Sequence, residues 1–576
     1  MSRRVNIIIG HLKAGGLQQV PSAHSPDNSI STFDVIVVGA GFAGLYASYK
    51  LSALGLRIRV FERGDSVGGT WFWNRYPGAK CDVESLMYAY TFSQTLQQEW
   101  SWSHKYGRQP QILQYLNHVA DRFDLRRHIE LSSSVLSCRW NDDREMWELV
   151  VNRDPSGERH TVHASFVVMA TGCLSERNWP KVRGLSQFSG RLLHSQDWPR
   201  EPVDFTSRRV GIIGTGSSGV QIITKIAPEA GHLFVFQRTP AYALPANDGP
   251  IDHTREAKVK ASFPEFADAL RRTLQAADFN SSFIKWKKTS EADREAMKEA
   301  RWQTGGFPYL MTFFDFFKEA PCQDISEFVQ KKIQQIVHNL TVATALCPKY
   351  LIACKRACVA DGYYETYNRS NGTLVDLQAF DGKIDEVTPQ GVKVGNMEYL
   401  LDDLICATGF DAVTGALLAT NIVGRHGISL RDEWRDGPRT YLGLACAGFP
   451  NLFTVTGPQS PSVLTNMPVA IEQHVEWIAA CIKHVRDTGK KVIEATPDAQ
   501  VDWVDHCTMV DSLDLSGWHP SCGNSWYSGA NIEGKPRVPL PYRGGFGQPA
   551  GSTPWPSYAD RCDAVAKNGY EGFCIT

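Results

Sequence analysis

The stretch that decides the fold is FDVIVVGAGFAGLYASYKLSALGLRIRVFER, residues 33–63. An apolar run leads into a glycine-rich turn, a segment with helical spacing follows, and a second apolar run ends the stretch. The same order returns in RRVGIIGTGSSGVQIITKIAPEAGHLFVFQR, residues 208–238. Two copies of strand, glycine turn, helix and strand predict an α/β protein with two Rossmann-type dinucleotide-binding domains.

The glycines of both copies follow the spacing G-x-G-x-x-G. They are Gly39, Gly41 and Gly44 in the first copy, and Gly214, Gly216 and Gly219 in the second. This spacing lets the chain turn tightly, lets a pyrophosphate touch bare backbone, and directs a helix N-terminus at negative charge. A single such motif is weak evidence, but each copy here follows a strand and opens a helix. The sequence therefore predicts two bound dinucleotides.

The end of the second strand in each copy indicates which dinucleotide is bound. Glu62 ends that strand in the first copy, where a carboxylate can accept hydrogen bonds from ribose hydroxyls, as FAD or NAD requires. The equivalent residue in the second copy is Gln237, followed by Arg238 and Thr239. The carboxylate that would repel a 2′-phosphate is missing there, and a guanidinium is near. The second copy is therefore predicted to bind NADP(H).

Changes in composition predict six segments along the chain. Between Pro245 and about Leu346 the sequence is rich in charges at helical spacing, which indicates a helical insertion. The predicted segments are an N-terminal arm (1–30), the first part of the FAD-binding domain (31–180), the first part of the NADP-binding domain with its linker (181–245), the helical insertion (246–345), the second part of the NADP-binding domain (346–396), and the second part of the FAD-binding domain with C-terminal binding loops (397–576).

Composition narrows the classes of partner. The 576 residues include 60 Lys plus Arg and 61 Asp plus Glu, and a net charge of -1 gives no basic surface for nucleic acid or an anionic membrane. No run of about 18 apolar residues predicts a membrane span. The 14 cysteines follow no framework and no secretory signal precedes them, so we expect reduced thiols and a cytoplasmic protein. Small molecules are the expected partners.

Two further motifs carry a family resemblance. FSGRLLHSQDWP, residues 188–199, fits F-x-G-x-x-x-H-x-x-x-W-P in full, and GGTWFWNRYPGAKCD, residues 68–82, fits G-G-x-W-x-x-x-x-Y-P-G-x-x-x-D. With these motifs the chain resembles the flavin-dependent Baeyer-Villiger monooxygenases over nearly its whole length, from about Phe33 to Phe573.

The resemblance implies a reaction and its reagents. NADPH would reduce FAD, the reduced flavin would form a peroxide with dioxygen, and one oxygen atom would be inserted beside a ketone carbonyl to give an ester or lactone. Such a site must hold a fixed positive charge and exclude water. The family's catalytic arginine corresponds to Arg356 in IACKRACVADGYYE, and Lys355 before it corresponds to a ligand of the NADPH 2′-phosphate. No metal is required.

Other residues take roles from the same resemblance. Asp82 corresponds to the carboxylate that bonds the catalytic arginine, and His194 to a hinge residue that links cofactor binding to domain movement. Trp526 corresponds to a tryptophan on a mobile loop over the nicotinamide nucleotide. The remaining implied cofactor ligands are Gly69, Thr70, Trp71, Tyr88 and Ser217, together with Asp82, and the implied substrate-pocket residues are Ser462, Val463 and Leu464.

Three other functions compete with this interpretation. A flavin monooxygenase that oxygenates nitrogen or sulfur shares both glycine motifs, but such enzymes usually lack the residues that correspond to Trp198 and Pro199. A dithiol reductase would need a redox pair beside the flavin, whereas Cys354 and Cys358 flank the Lys-Arg pair of the second domain. A nucleotide-binding protein without turnover is the third alternative, and it would not consume NADPH and oxygen.

Overall fold

The computed structural model describes residues 31–279, 282–513, 519–523, 525–536, 539, 542, 545–547 and 556–576. The predicted N-terminal arm, residues 1–30, lies outside the described residues.

The strands are β1 (Ser31–Val38), β2 (Ile58–Phe61), β3 (Lys80–Glu84), β4 (Tyr106–Arg108), β5 (Ile129–Glu130), β6 (Ser133–Asn141), β7 (Met146–Arg153), β8 (Glu158–Met169), β9 (Arg191–His194), β10 (Arg209–Ile213), β11 (His232–Gln237), β12 (Ala243–Leu244), β13 (Cys358–Val359), β14 (Gly372–Asp376), β15 (Glu386–Thr388), β16 (Gly391–Val394), β17 (Met397–Leu400), β18 (Asp403–Cys406), β19 (Asn421–Val423), β20 (Leu452–Thr454), β21 (Ile493–Ala495) and β22 (Phe573–Ile575).

The α-helices are α1 (Phe42–Ser52), α2 (Thr70–Trp73), α3 (Gln94–Glu99), α4 (Gln109–Arg122), α5 (Ser217–Ile226), α6 (His253–Ala261), α7 (Phe263–Arg271), α8 (Glu291–Thr304), α9 (Glu319–Ile336), α10 (Leu340–Leu346), α11 (Gly415–Ala419), α12 (Leu430–Glu433), α13 (Met467–Asp487), α14 (Pro497–Ser512) and α15 (Tyr558–Lys567).

The first glycine motif lies in an eight-stranded sheet. Its strand order is β19-β6-β7-β8-β1-β2-β5, and β20 also pairs with β8. The strands beside the motif are parallel, with Val37 opposite Val60 and Val168. Apolar residues on both faces of β1 are fully buried, as expected for a parallel strand covered on both sides. Helices α1, α4 and α13 contribute to the largest apolar core of the chain.

The second glycine motif lies in a five-stranded parallel sheet with the order β14-β11-β10-β18-β9. The predicted fold class, with two Rossmann-type units, is therefore confirmed. One predicted boundary is wrong, because β18 (Asp403–Cys406) pairs with β10 and belongs to the second sheet. The chain returns to the first sheet only after residue 406, since a short pattern such as DLIC does not reveal which sheet it joins.

The helical insertion is anchored by a short pair of strands. Helices α6 to α10 lie between β12 and β13, and Ala243 pairs with Cys358 across the base of the insertion. The Cys358 N–H donates to the Tyr242 carbonyl at 2.8 Å. Because Lys355 and Arg356 are separated from β13 only by Ala357, this pairing fixes the position of both residues beside the second sheet.

The last glycine of each motif sits where no side chain fits. A Cβ atom on Gly44 would lie 1.8 Å from the Gly39 carbonyl oxygen, and one on Gly219 would lie 2.1 Å from that of Gly214. Each glycine thus lets its helix pack directly on the preceding turn.

No helix in the described ranges is long and apolar enough to cross a membrane.

Candidate active site

One large cavity joins the two glycine turns. Its volume is about 990 Å³. Residues from both sheets, from the loop that carries Lys355 and Arg356 (the Lys-Arg loop) and from the C-terminal loops line it. Seventeen predicted site residues form part of its wall: Gly39, Gly41, Glu62, Gly69, Thr70, Trp71, Asp82, Tyr88, Gly214, Gly216, Ser217, Arg238, Thr239, Lys355, Arg356, Val463 and Trp526. The volume is at the upper end of the range for cofactor and ligand pockets.

The first glycine turn faces a buried carboxylate. Glu62 is only 5% exposed, and its two oxygens accept hydrogen bonds of 2.7 Å from the N–H groups of Ala40 and Gly64. Burial raises the pKa of Glu62, although these two N–H groups oppose the rise. The carboxylate is therefore held in place by backbone at the end of β2, where it also lines the cavity.

In the second unit, the strand position that corresponds to Glu62 is occupied by Gln237, which does not face the cavity. Gln237 is fully buried, and its side-chain amide donates to the Ala345 carbonyl at 2.8 Å, away from the cavity wall. The cavity instead receives Arg238, which is exposed, and Lys355, which is half-buried. Within the described part of the chain neither forms an ion pair with a carboxylate. Two uncompensated cations make this region suitable for an anion.

The surroundings of Lys355 also indicate that this region suits an anion. Burial, and secondly repulsion from Arg238, lower the pKa of Lys355 to about 8. Its ammonium nitrogen lies 5.0 Å from the centre of the Tyr350 ring, which supplies a weak favourable contact. A bound phosphate would offset the electrostatic cost of bringing the two cations together.

The structure brings Arg356 and Asp82 together from opposite domains. The Arg356 Nε and Nη2 atoms donate to the two Asp82 oxygens at 2.7 and 2.9 Å, and Nη1 donates to the Val463 carbonyl at 2.9 Å. Each side chain of the ion pair is 22% exposed. Burial opposes the charge, but Asp82 and then Tyr527 hold the pKa of Arg356 well above its usual value. Arg356 is thus a fixed cation in the cavity wall.

Contacts of the 68–82 motif explain why Asp82 can reach the second domain. The Tyr76 hydroxyl donates to the Gln221 side chain at 3.0 Å, and the Gln221 amide donates to the Lys80 carbonyl at 3.0 Å. Gln221 lies on α5, and the motif turns against that helix at Gly78, where φ is +82° and an added Cβ would lie 2.9 Å from the Gln221 carbonyl oxygen. The motif therefore joins the domains two residues before Asp82.

Two residues missed by sequence reasoning also surround Arg356. The guanidinium carbon lies 4.8 Å from the centre of the Phe307 ring, and Tyr527 approaches from the C-terminal loop. Phe307 follows the Gly305-Gly306 break at the end of α8. The two consecutive glycines indicate the end of a helix in the sequence. Nothing in the local sequence predicts that the insertion folds back onto the Lys-Arg loop.

Five predicted site residues do not line the cavity. Gly44 and Gly219 lie behind the turns, where they permit close helix packing. The prediction for Ser462 as a pocket residue is corrected, because with φ at +42° its fully buried hydroxyl donates to the Thr456 carbonyl at 3.3 Å. Leu464 packs in an apolar cluster with Tyr527 and others. Of the three predicted pocket residues, Ser462, Val463 and Leu464, only Val463 contributes to the cavity wall.

His194 lies behind the cavity wall at the end of β9. It is 1% exposed, its ring centre is 4.7 Å from that of Trp179, and Trp179 lines the cavity. Burial lowers the pKa of His194 to about 4, with opposing effects from Asn178 and Asp197. The imidazole is therefore neutral near pH 7, and no acid-base role at the cavity follows from its position.

The expectation of fully reduced thiols is wrong for one pair. Cys354 and Cys522 form a disulfide, whereas the other twelve cysteines are free. The bond joins segments 168 residues apart, a pairing that spacing alone cannot predict. Cys358 is free, so Cys354 and Cys358 do not form the redox pair of a dithiol reductase.

The residues present fit two dinucleotides. A Cβ atom on Gly216 would meet no atom within 4 Å, so the bare backbone opens onto space that a pyrophosphate can enter, and Gly41 has only Gly69 nearby. Together, the acid Glu62 in one unit, the cations Arg238 and Lys355 in the other and the Arg356–Asp82 ion pair between them define a flavoprotein oxidoreductase with two dinucleotide sites.

Comparisons with known proteins identify the family. Residues 33–252 match the family model described as flavin-binding monooxygenase-like. A Baeyer-Villiger monooxygenase of Pseudooceanicola batsensis is 41% identical over 543 residues, covering 93% of this chain and 95% of the relative. A phenazine N-monooxygenase of Lysobacter antibioticus is 38% identical, covering 95% and 98%. An oxidised steroid monooxygenase solved with NADP has a TM-score of 0.87 at 43% identity, covering 95% and 99%. The chain belongs to the flavin-dependent Baeyer-Villiger monooxygenases.

Proposed function

We propose that this chain uses NADPH and dioxygen to insert one oxygen atom between the carbonyl carbon of a ketone and its neighbour, giving an ester or a lactone. The observation that carries the proposal is the Arg356–Asp82 pair, because it places a permanent cation in a cavity bounded by two glycine turns. The name of the relative from Pseudooceanicola batsensis supports the same reaction class.

The first unit is proposed to hold FAD. Gly39 and Gly41 would accommodate the pyrophosphate, and Glu62 would accept hydrogen bonds from the ribose. Gly69, Thr70, Trp71 and Tyr88 line the same part of the wall, and the Trp71 indole donates to the Tyr88 hydroxyl at 3.2 Å. When bound, FAD supplies the redox chemistry that carries electrons from NADPH to dioxygen.

The second unit is proposed to hold NADPH. Gly214, Gly216 and Ser217 would receive the pyrophosphate at the start of α5. Arg238 and Lys355 would bind the 2′-phosphate, with Thr239 beside them in the wall. The absence of an acid at Gln237 removes the repulsion that would otherwise disfavour the phosphate.

Arg356 is proposed to stabilise the negative charge that develops during oxygen insertion. Its guanidinium stays charged at any working pH, and three of its donors are oriented by Asp82 and Val463. Such a preorganised cation stabilises a transition state without having to reorient during the reaction. Asp82 compensates its charge in the half-buried site, which limits the cost of desolvation.

Trp526, Val463 and His194 have less direct proposed roles. Trp526 lines the cavity from a short turn, Trp526–Ser528, where its indole would close the site over the nicotinamide nucleotide. Val463 would limit the size of the ketone. His194 would act as a hinge, because it connects the buried end of β9 with Trp179 in the wall.

A panel of cyclic and aryl ketones tests the reaction class directly. The purified yellow protein, given NADPH and oxygen, should convert at least one ketone to an ester or lactone with one oxygen atom from ¹⁸O₂. Because one relative is named a phenazine N-monooxygenase, an aromatic N-heterocycle belongs in the same panel. N-oxide formation with no ester from any ketone would favour the second candidate, nitrogen oxygenation, over the proposed function.

A further inference from the structure

The Cys354–Cys522 disulfide connects two segments that carry proposed site residues. Cys354 directly precedes Lys355 and Arg356 in the Lys-Arg loop. Cys522 belongs to the segment 519–523, shortly before Trp526 and Tyr527. The bond therefore ties the C-terminal loop to the loop that holds the proposed catalytic cation.

Polar contacts beside the disulfide also connect the two segments. The Leu351 N–H donates to the Ser521 hydroxyl at 3.4 Å, and that hydroxyl lies 3.3 Å from the Cys354 sulfur. His519 Nδ1 lies 2.7 Å from the same hydroxyl. A ring nitrogen of His519 lies within 4.8 Å of both sulfurs.

The bond is not part of a disulfide framework. The other twelve cysteines are free, including half-buried Cys347 and exposed Cys574. Cys354 and Cys522 are each 1% exposed and lie in the apolar core of the second domain, which contains many other buried residues. A single disulfide between two loops of a proposed active site is placed to control loop position. It is not placed to compensate for a small core, which is the usual role of structural disulfides.

The loop that the bond restrains contacts the cavity directly. Trp526 lines the cavity, and Tyr527 packs with Val463 and Cys173 and approaches Arg356. If the bond is broken, residues 519–523 and 525–536 keep only non-covalent contacts with the loop that carries Lys355 and Arg356. The covalent link thus favours the arrangement in which Trp526 and Tyr527 cover the site.

We propose that Cys354 and Cys522 form a reversible redox site, oxidised by hydrogen peroxide, whose disulfide clasps the C-terminal loop over the bound nicotinamide nucleotide. Hydrogen peroxide is the product when oxygen activation is not followed by oxygen insertion, so the clasp would respond to unproductive turnover. The link to the nucleotide rests on the proposed function. The oxidation itself does not.

The chemistry of the clasp balances in two steps. One thiolate attacks hydrogen peroxide, the O–O bond breaks, and a sulfenic acid and one water form. The second thiolate attacks the sulfenic sulfur, the S–S bond forms, and a second water leaves. Two thiols are oxidised and one peroxide is reduced, and the two thiol protons end in the two waters. A dithiol reductant supplies two electrons and two protons, which reduce the disulfide to two thiols while the reductant becomes a disulfide itself.

Peptide mapping tests whether the pair is reversible and selective. The FAD-loaded enzyme is reduced with dithiothreitol, desalted into EDTA so that the Cys354, Cys522 and His519 cluster holds no metal, treated with a small excess of hydrogen peroxide, and blocked with N-ethylmaleimide. We expect a cross-linked Cys354–Cys522 peptide that disappears on renewed reduction, with Cys347 still alkylated. Oxidation of Cys574 while Cys354 and Cys522 remain alkylated, or a cross-link that dithiothreitol cannot remove, would overturn the proposal.

NADP⁺ release measures the effect of the clasp. The oxidised enzyme should release NADP⁺ slower than the reduced enzyme by on the order of tenfold, because the tether keeps the loop at high effective concentration over the site. Cys522→Ser should lose this difference, and Cys354→Ser should reproduce the loss if folding affects one variant. Cys347→Ser, a matched change of a neighbouring free thiol, should keep both the cross-link and the difference.

The outcomes separate this proposal from the proposed function. If NADP⁺ does not bind in either redox state while the cross-link forms, the proposed function fails. If NADP⁺ binds and leaves at the same rate in both states, the clasp proposal fails.

Discussion

The two glycine units share a backbone plan but present different chemistry to the cavity. In the first, the residue that ends the second strand is Glu62, and backbone N–H groups hold its carboxylate at the wall. In the second, Gln237 bonds to Ala345 behind the wall, while Arg238 and Lys355 face the cavity without ion pairs in the described residues. The repeated fold therefore sets where a dinucleotide lies, and a few strand-end and loop residues set which one.

The comparison also shows where the two units meet. Asp82 comes from the first domain and Arg356 from the loop beside the second, and their ion pair forms only because the 68–82 motif packs on α5. Neither unit alone contains the complete proposed catalytic site. The largest functional effects are thus expected from changes at this junction, and smaller ones from changes within a single unit.

Removing the cation at the junction should separate the two half-reactions. In Arg356→Ala we expect bound FAD and partial NADPH oxidation to persist, while ester or lactone formation falls at least about hundredfold. The NADPH consumed should then yield hydrogen peroxide. Arg356→Lys should restore little, because an ammonium cannot reproduce the two-pronged bond to Asp82. The measurement is the amount of ester or lactone and of hydrogen peroxide formed per NADPH consumed. Ester formation at the wild-type rate in Arg356→Ala would rule out Arg356 as the catalytic cation.

Two glycines of the second unit should respond in opposite ways. Gly219→Ala places a Cβ 2.1 Å from the Gly214 carbonyl oxygen, so we expect a stability loss of about 1–3 kcal/mol. Gly216→Ala meets no atom within 4 Å, so its melting temperature should stay close to that of the wild type while the KM for NADPH rises. Thermal unfolding and steady-state kinetics on both variants provide the measurement. A destabilised Gly216→Ala with normal KM would contradict the assignment of the turn.

The charge of Lys355 should make NADPH use depend on pH. Its folded pKa lies near 8, below the usual lysine value, so the charge is present below pH 8 and is lost as the pH rises through that value. The kcat/KM for NADPH should therefore fall about tenfold between pH 7 and 9. The profile for NADH should lack this fall, because NADH carries no 2′-phosphate, and the Lys355→Arg variant should have a flatter profile for NADPH than the wild type. Parallel profiles for both coenzymes would contradict the role of Lys355.

Local motifs predicted much of the site because their chemistry is local. The glycine turns, Glu62 and Arg238 lie at the cavity where strand-turn-helix geometry places them. Gly69, Thr70, Trp71 and Tyr88, which the resemblance implied, also line the cavity. The Arg356–Asp82 pair was expected from the resemblance, and the structure places the two side chains in contact.

The remaining features depend on contacts between distant segments. Phe307 and Tyr527 reach Arg356 only because the insertion and the C-terminal loop fold back onto it. The inward turn of Ser462 follows from its left-handed backbone, which nothing in SPSVLTNM requires. The Cys354–Cys522 bond likewise joins loops whose proximity depends on the packing of the whole chain.

The most direct test of the central claim is the ratio of kcat/KM for NADPH to that for NADH. The ratio is measured in the wild type, in the double variant that combines Arg238→Ala with Lys355→Ala, and in Glu62→Gln, which serves as the control from the first unit. We predict a strong NADPH preference that drops by about 1.5–3 kcal/mol per lost charged contact in the double variant and is unchanged in Glu62→Gln. Equal use of both coenzymes by the wild type, or a preference that survives the double variant, would contradict the account of how the two units differ.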